Sequence, residues 1–191
     1  MACGTLAANI TTDCDNPILA GVGSTLYLIN YDDFQEATVT AAADNPLEVT
    51  ALTLATGDNI FKVETVASNA IRPRYETSKE NGRVRFKHVV ELSVERDDVA
   101  TKEQILQLNL GRFVAIVFTN TSQIEILGAD AGLTIESGEQ RNFYANQGAF
   151  ALVLASDDET LEPFIPKSYV GSTSPYDFAT AKADITSQVA A

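Results

Sequence analysis

Tryptophan is absent from this 191-residue chain, histidine and methionine occur once each, and the two cysteines both fall near the N-terminus, at positions 3 and 14. Each shortage excludes something. A single imidazole, His88, leaves a Ser-His-Asp triad only one possible base. That residue stands between Lys87 and Val89 with no nucleophile motif around it, so a half-buried strand residue is the reading it supports. A chain this poor in Trp and His also lacks the aromatic platforms that usually line a sugar cleft. Cys3 and Cys14 form no C-x-x-C pair and have no neighbouring His, which speaks against a zinc site. They are read as free thiols, with a bridge between them left open.

Basic residues are scarce as well, 13 against 26 acidic, for a net charge of −13. A general nucleic-acid binder needs cationic surface to displace counterions, and docking on anionic lipid needs the same. The acidic balance fits solubility, or a surface that repels polyanions. No apolar run approaches the length that spans a bilayer. Met1 to Thr5 shows neither the charged nor the apolar region of a secretion signal. The expectation is a protein made in the cytoplasm, with no membrane partner and no cofactor. Asn9-Ile10-Thr11 and Asn120-Thr121-Ser122 match the glycosylation triplet by chance on that reading.

What is present is strand signal. Thr25 to Tyr31 carries β-branched and aromatic residues, Ala37 to Ala41 is a weaker strand, and Asp44-Asn45-Pro46 is a turn. Val49 to Leu54 and Ile60 to Val66 flank Thr56-Gly57-Asp58-Asn59 and read as a hairpin. A longer hairpin runs from Tyr75 to Glu95 around Asn81-Gly82, the strongest short turn signal available. On its returning arm Val84, Phe86 and His88 share one face, and Arg83, Arg85 and Lys87 the other. Thr101 with Gln104 forms a capping box for a helix that Gly111 stops, over 101–110. Phe113 to Thr119, Ile124 to Leu127, Leu133 to Glu136 and Ala149 to Ala155 are further strands.

These elements predict one β-rich α+β domain, an antiparallel sandwich or partial barrel with one helix and a long hairpin arm. Its expected limits are 25–166, with the basic hairpin at 72–95. Residues 1–24 are expected as an N-terminal arm and 167–191 as a C-terminal tail.

The candidate sites are few. Asp32-Asp33, Asp97-Asp98 and Asp157-Asp158 all fall in expected turns. None has the alternating spacing of a calcium loop, and adjacent strand residues face opposite ways, so solvated charge is the reading favoured. Gly21-Val22-Gly23-Ser24-Thr25 lacks the lysine of a phosphate loop and precedes a strand. The informative feature is charge segregation. Arg72, Arg74, Lys79, Arg83, Arg85 and Lys87, six of the 13 basic residues, lie within one expected hairpin. A solvated strand face accounts for this without function. A self-complementary contact, a basic arm of one subunit on an acidic surface of the next, accounts for it with function. These six are the expected subunit interface.

The order of elements carries a resemblance. The long hairpin (Tyr75-Glu76-Thr77 through Asn81-Gly82 to Leu92-Ser93-Val94), the helix Thr101 to Leu110 and the strand Phe113 to Thr119 come first. Ile126-Leu127-Gly128, Gly132-Leu133 and the strand Phe150 to Leu154 follow, with Asp158-Glu159 and Pro163 after them. Over residues 25–166 this pattern is similar to the major tail tube proteins of tailed bacteriophages. The resemblance implies a non-enzymatic virion subunit. Six copies would form a ring, rings would stack into a tube, and strands of each copy would join one barrel around the lumen. Its partners would be itself and other virion proteins, with DNA only as passing cargo. A head-to-tail connector, a tail terminator or a capsid decoration protein stays open as an alternative, as do a small carboxylate-dependent hydrolase and a cell-surface β-sandwich module.

Overall fold

A computed structural model describes residues 21–65, 70–80, 83–95, 98–140, 150–171 and 176–190, apart from the side chains of Glu80 and Gln140. Cys3, Cys14 and the Asn81-Gly82 turn lie outside the described residues. The strands are β1 (Val22–Asn30), β2 (Thr38–Ala42), β3 (Asn45–Thr53), β4 (Phe61–Glu64), β5 (Ile71–Glu80), β6 (Arg83–Val94), β7 (Phe113–Thr119), β8 (Ile124–Leu127), β9 (Thr134–Gln140), β10 (Phe150–Ala155) and β11 (Lys167–Tyr169). The helices are α1 (Tyr31–Glu36), α2 (Val99–Leu110) and α3 (Phe178–Thr186).

The strands build two sheets, one of seven in the order β2-β3-β11-β8-β7-β1-β4 and one of four in the order β5-β6-β10-β9. The result is a β-rich α+β sandwich whose sheets do not close into a barrel. Alternation in β1 and β7 explains its layers. Leu26 and Leu28 with Phe113, Ala115 and Val117 face the small sheet, meeting Val90, Leu92, Leu152 and Leu154. Tyr27 and Ile29 with Val114, Ile116 and Phe118 face the other way, where Phe34 of α1 and Ala181 and Ile185 of α3 cover them. Residues 113–118 are therefore buried throughout, which is why they read as an unbroken apolar run instead of an alternating one. Each fully buried Leu, Ile or Val side chain contributes about 1.5–3 kcal/mol.

Several expectations are corrected by pairing that no local signal reveals. Val49–Leu54 and Ile60–Val66 do not form a hairpin. Gly57 does turn the chain, with φ +107°, but β3 pairs with β2 and β11 while β4 pairs with β1. The turn thus crosses from one side of the large sheet to its far edge. Gln188 joins the two: its side chain accepts from Leu54 N (2.9 Å) and donates to Leu52 O (3.0 Å), while its carbonyl accepts from Ile60 N (3.0 Å).

The segment after Pro166 is not an appended tail. β11 sits between β3 and β8, and Ile185 of α3 is fully buried. The limit placed at Pro166 falls inside the fold. One helix was expected; α1 is too short for a periodic signal, and α3 is capped by Asp177, which accepts from Ala179 N and Thr180 N. α2 begins earlier than the capping box suggests, because Asp98 is its N-cap and accepts from Thr101 N at 2.7 Å. Asp is as strong a cap as Thr and stands one spacing upstream.

The long hairpin is present. β5 and β6 pair from Ile71↔Leu92 to Glu80↔Arg83. No helix of the structure is long and apolar enough to cross a membrane among the described residues.

Candidate assembly surface

The hairpin outruns its core. Val90, Leu92 and Val94 are buried on the inner face of β6, but Val84 is 47% exposed, and so is Tyr75 on β5, opposite His88, at 48%. Beyond the end of β10 the strand β6 keeps β5 on one side and is bridged on the other by Glu162 at Phe86 (2.9 Å each way), so among the described residues only the tip, 78–80 with 83–85, is two-stranded; behind it Tyr75 and Phe86 meet edge to face (5.9 Å, 77°).

The register sorts the six basic residues. Residues opposite one another in an antiparallel pair share a face. Arg72 lies opposite Glu91, Arg74 opposite Val89 and Glu76 opposite Lys87. So Arg72, Arg74, Arg83, Arg85 and Lys87 occupy the outer face together with Glu76 and Glu91, and Lys79 occupies the inner one. They are not equally available. Lys87 is tied to Asp158 (2.8 Å) and Glu136 (2.7 Å) with its side chain only 16% exposed. Those two bonds, to Asp158 and then Glu136, raise its pKa. Arg74 pairs with Glu76 and Glu91, and Arg72 also has a partner. Among the described residues no carboxylate pairs with Lys79, Arg83 or Arg85. The outer face is therefore a mixed-sign surface with an unpaired basic tip, not a uniformly basic arm.

A third arginine, which the sequence did not single out, joins Arg83 and Arg85. Arg112 leads into β7, and its guanidinium lies over the Tyr31 ring at 5.2 Å. The three line one open groove of about 710 Å³ with Asp130, Asp158 and Glu159.

Beneath this groove a buried polar cluster staples the sheets together. His88, 2% exposed, accepts the Gly128 N–H at Nδ1 (3.1 Å) and therefore carries its proton on Nε2, which donates to Phe164 O (3.0 Å). Burial lowers its pKa to about 4. Glu162, 1% exposed, takes backbone N–H groups on both oxygens, from Ala131 (2.9 Å) and Asp130 (3.1 Å). Burial outweighs those bonds and pushes its pKa up to about 7. Asp130 itself is bound by Lys167 (2.8 Å), and its carbonyl accepts from Tyr31 Oη (2.6 Å). Glu162 is not among the candidate residues read from the sequence. The available hint was its place in Leu161-Glu162-Pro163-Phe164-Ile165, a lone acid in an apolar stretch. Each ring nitrogen of His88 and each carboxylate oxygen of Glu162 thus has a backbone partner, which is the environment of structural residues.

The Asp pairs are dispersed. Asp33 accepts from Asn30 Nδ2 (2.8 Å), Asp98 caps α2 and Asp158 binds Lys87. Among the described residues no three His, Cys, Asp or Glu side chains group as metal ligands. Gly21 to Thr25 runs directly into β1.

Among the described residues β5 and β9 are the edge strands of the small sheet. Pro73 on β5 is consistent with an edge position, since proline cannot serve a ladder on both sides. By sequence β5 carries Arg72, Arg74 and Lys79 against Glu76 and Glu80, and β9 carries Glu136 and Glu139 with no base. The edges thus differ in sign. Comparison of the chain with protein-family models, with curated proteins and with solved structures returns no match.

Proposed function

We propose that the chain is a non-enzymatic structural subunit of a virion, a tail tube protein whose copies join into stacked sixfold rings around a DNA channel. The observation that carries this reading is the strand parity of the small sheet. β5, β6, β10 and β9 alternate in direction throughout, so the two free edges run antiparallel to each other. Copies related by rotation about an axis along the strands keep their strand directions. β5 of one copy then meets β9 of the next as one more antiparallel pair, and the pattern continues around the ring. Such closure removes the free edges that otherwise invite uncontrolled pairing. The contact is head-to-tail, the type that generates rings, and the net positive β5 faces the negative β9.

The projecting arm fits a contact between successive rings. The net charge of −13 suits a channel through which DNA passes without adhering, although the outer face of the small sheet is of mixed sign. Electron microscopy of the purified protein over a range of concentration and salt tests the reading. Sixfold rings or hollow tubes are expected. A homogeneous monomer under every condition would overturn it, and trimers would favour a capsid decoration protein.

A further inference from the structure

From two apolar patches at opposite edges of the small sheet we infer a contact between neighbouring copies of this chain, in which the inner face of one copy's β5–β6 hairpin packs on helix α2 of the next. The inference rests on the head-to-tail β5–β9 pairing proposed above, and it names the side-chain contact which that pairing leaves unassigned.

The five most exposed large hydrophobic side chains among the described residues are Leu110 (76%), Val99 (72%), Leu106 (57%), Tyr75 and Val84. They fall into two groups. Val99, Glu103, Leu106 and Leu110 recur at intervals of four, three and four residues, so they share one face of α2. That face is opposite the one on which Ile105 is buried and Leu108 packs on the core. A helix apolar on both faces belongs inside a structure, and an exposed apolar stripe marks a contact. Tyr75 and Val84 form the second group. Both lie on the inner face of the hairpin, Tyr75 opposite His88 and Val84 opposite Lys79.

The two groups flank the same side of one sheet. α2 packs on the inner side of the small sheet, against edge strand β9, whereas Tyr75 is on the other edge strand, β5. When β5 of one copy joins β9 of the next, its inner face comes to the side that carries α2. Each group also holds one charge with no ion pair among the described residues, Glu103 in the first and Lys79 in the second, and the signs are opposite.

Barrel geometry fixes the overlap. Strands in a closed barrel lean about 35–45° from its axis. Across a sheet of four strands, about 19 Å wide, such a lean displaces the neighbour by about 16 Å along the strands, about five residues. Within one copy Thr134 is level with Arg74, through Ala155 and Val89, and Gly138 with Ile71, through Leu152 and Leu92. A slide of five residues one way sets Thr134–Gly138 beside residues 76–79 of the neighbour. The same slide the other way carries β5 past the end of β9 and leaves no ladder. The productive direction lays the neighbour's Tyr75, Thr77 and Lys79 along β9, on the side of α2, and keeps Glu80 and Arg83 beyond its end. α2 accompanies β9 over that length: Val94, which precedes the helix, is level with Gln140, and Phe113, which follows it, is bridged to Leu133.

Sedimentation velocity of the full chain over a range of concentration tests the contact, with a helix variant (Leu106→Ser, Leu110→Ser) and a hairpin variant (Tyr75→Ser, Val84→Ser). Each should raise the concentration of half-association about tenfold or more at an unchanged urea midpoint. If loss of the Tyr75–Phe86 contact lowers the midpoint, Lys79→Glu with Val84→Ser serves instead. Because the contact is heterologous, an equal mixture of the two variants should form a dimer that grows no further, one intact hairpin on one intact helix. A helix variant that associates as wild type does, or a mixture no better than either variant alone, would overturn the inference. So would a hairpin variant that associates normally while the helix variant does not, which would place a second α2 or another surface on the stripe. Sixfold rings indifferent to the helix substitutions remove only this contact. The capped dimer from a chain that forms no sixfold ring removes only the tube reading, and a wild-type chain monomeric throughout removes both.

Discussion

Gly128 donates its backbone N–H to Nδ1 of His88 at 3.1 Å, a bond between the end of a strand in the large sheet and the middle of one in the small sheet. It requires the neutral ring. Since burial holds the folded pKa near 4, below the ordinary 6.5, protonation favours the unfolded chain. The stability contributed by neutral His88 is fully present above pH 6.5 and lost as pH falls through 4, to the extent of about 3 kcal/mol. His88→Gln, which keeps one acceptor and one donor, should flatten that acid-side fall. Urea unfolding midpoints between pH 4 and 7.5 measure it.

Glu162 has the opposite slope. Its folded pKa near 7 stands above the ordinary 4.5. Its contribution is full below pH 4.5 and is lost as pH rises through 7, again by about 3 kcal/mol. Between pH 4.5 and 6.5 the two groups counteract each other. Relative to wild type, Glu162→Gln should therefore gain stability with rising pH, and His88→Gln should lose it. The same sign in both variants would refute this coupling.

Ile185→Ala tests the place of the C-terminal segment. The side chain is fully buried against the large sheet, so the expected loss is about 2–5 kcal/mol, measured by chemical denaturation. Ending the chain after Pro166 should abolish cooperative unfolding altogether, because it also removes the strand between β3 and β8. A soluble, cooperatively unfolding truncation would show that the segment is dispensable.

Gly132→Ala should cost about 1–3 kcal/mol. The residue sits at φ +77°, and an added Cβ would run into the Arg112 side chain and approach the Tyr31 ring.

Two groups of hairpin charge should separate by phenotype. Arg83→Glu with Arg85→Glu alters unpaired tip residues, so assembly should be lost with circular dichroism unchanged. Lys87→Met removes two ion pairs inside the subunit. It should lower stability by about 1 kcal/mol, since both carboxylates are largely solvated. Assembly that survives the double reversal would exclude the arm from the interface.

Much of the fold was legible because it is local. Phe113–Thr119 and Ile124–Leu127 match their strands residue for residue, and the Asn81-Gly82 signal falls between paired Glu80 and Arg83. What was illegible depends on residues distant in sequence. The Gly57 turn looks the same whether the chain returns alongside β3 or crosses to β1, and only the presence of β11 beside β3 decides. Lys87 resembled Arg83 and Arg85 in the sequence. Its difference comes from Glu136 and Asp158, 49 and 71 residues away. Arg112 reaches the groove through the pairing of Asn30 with Phe113, which no spacing in the chain announces.

The position of β11 also has a kinetic meaning. Until residues 167–169 are made, β2 and β3 have no partner linking them to β8, and the large sheet exists as two unjoined parts. The ladder that unites them joins residues more than a hundred positions apart in sequence, a contact with a high loop-closure cost that forms late. Chains emerging from synthesis would stay incompetent for cooperative folding, with β3 left as an open edge, until that strand arrives.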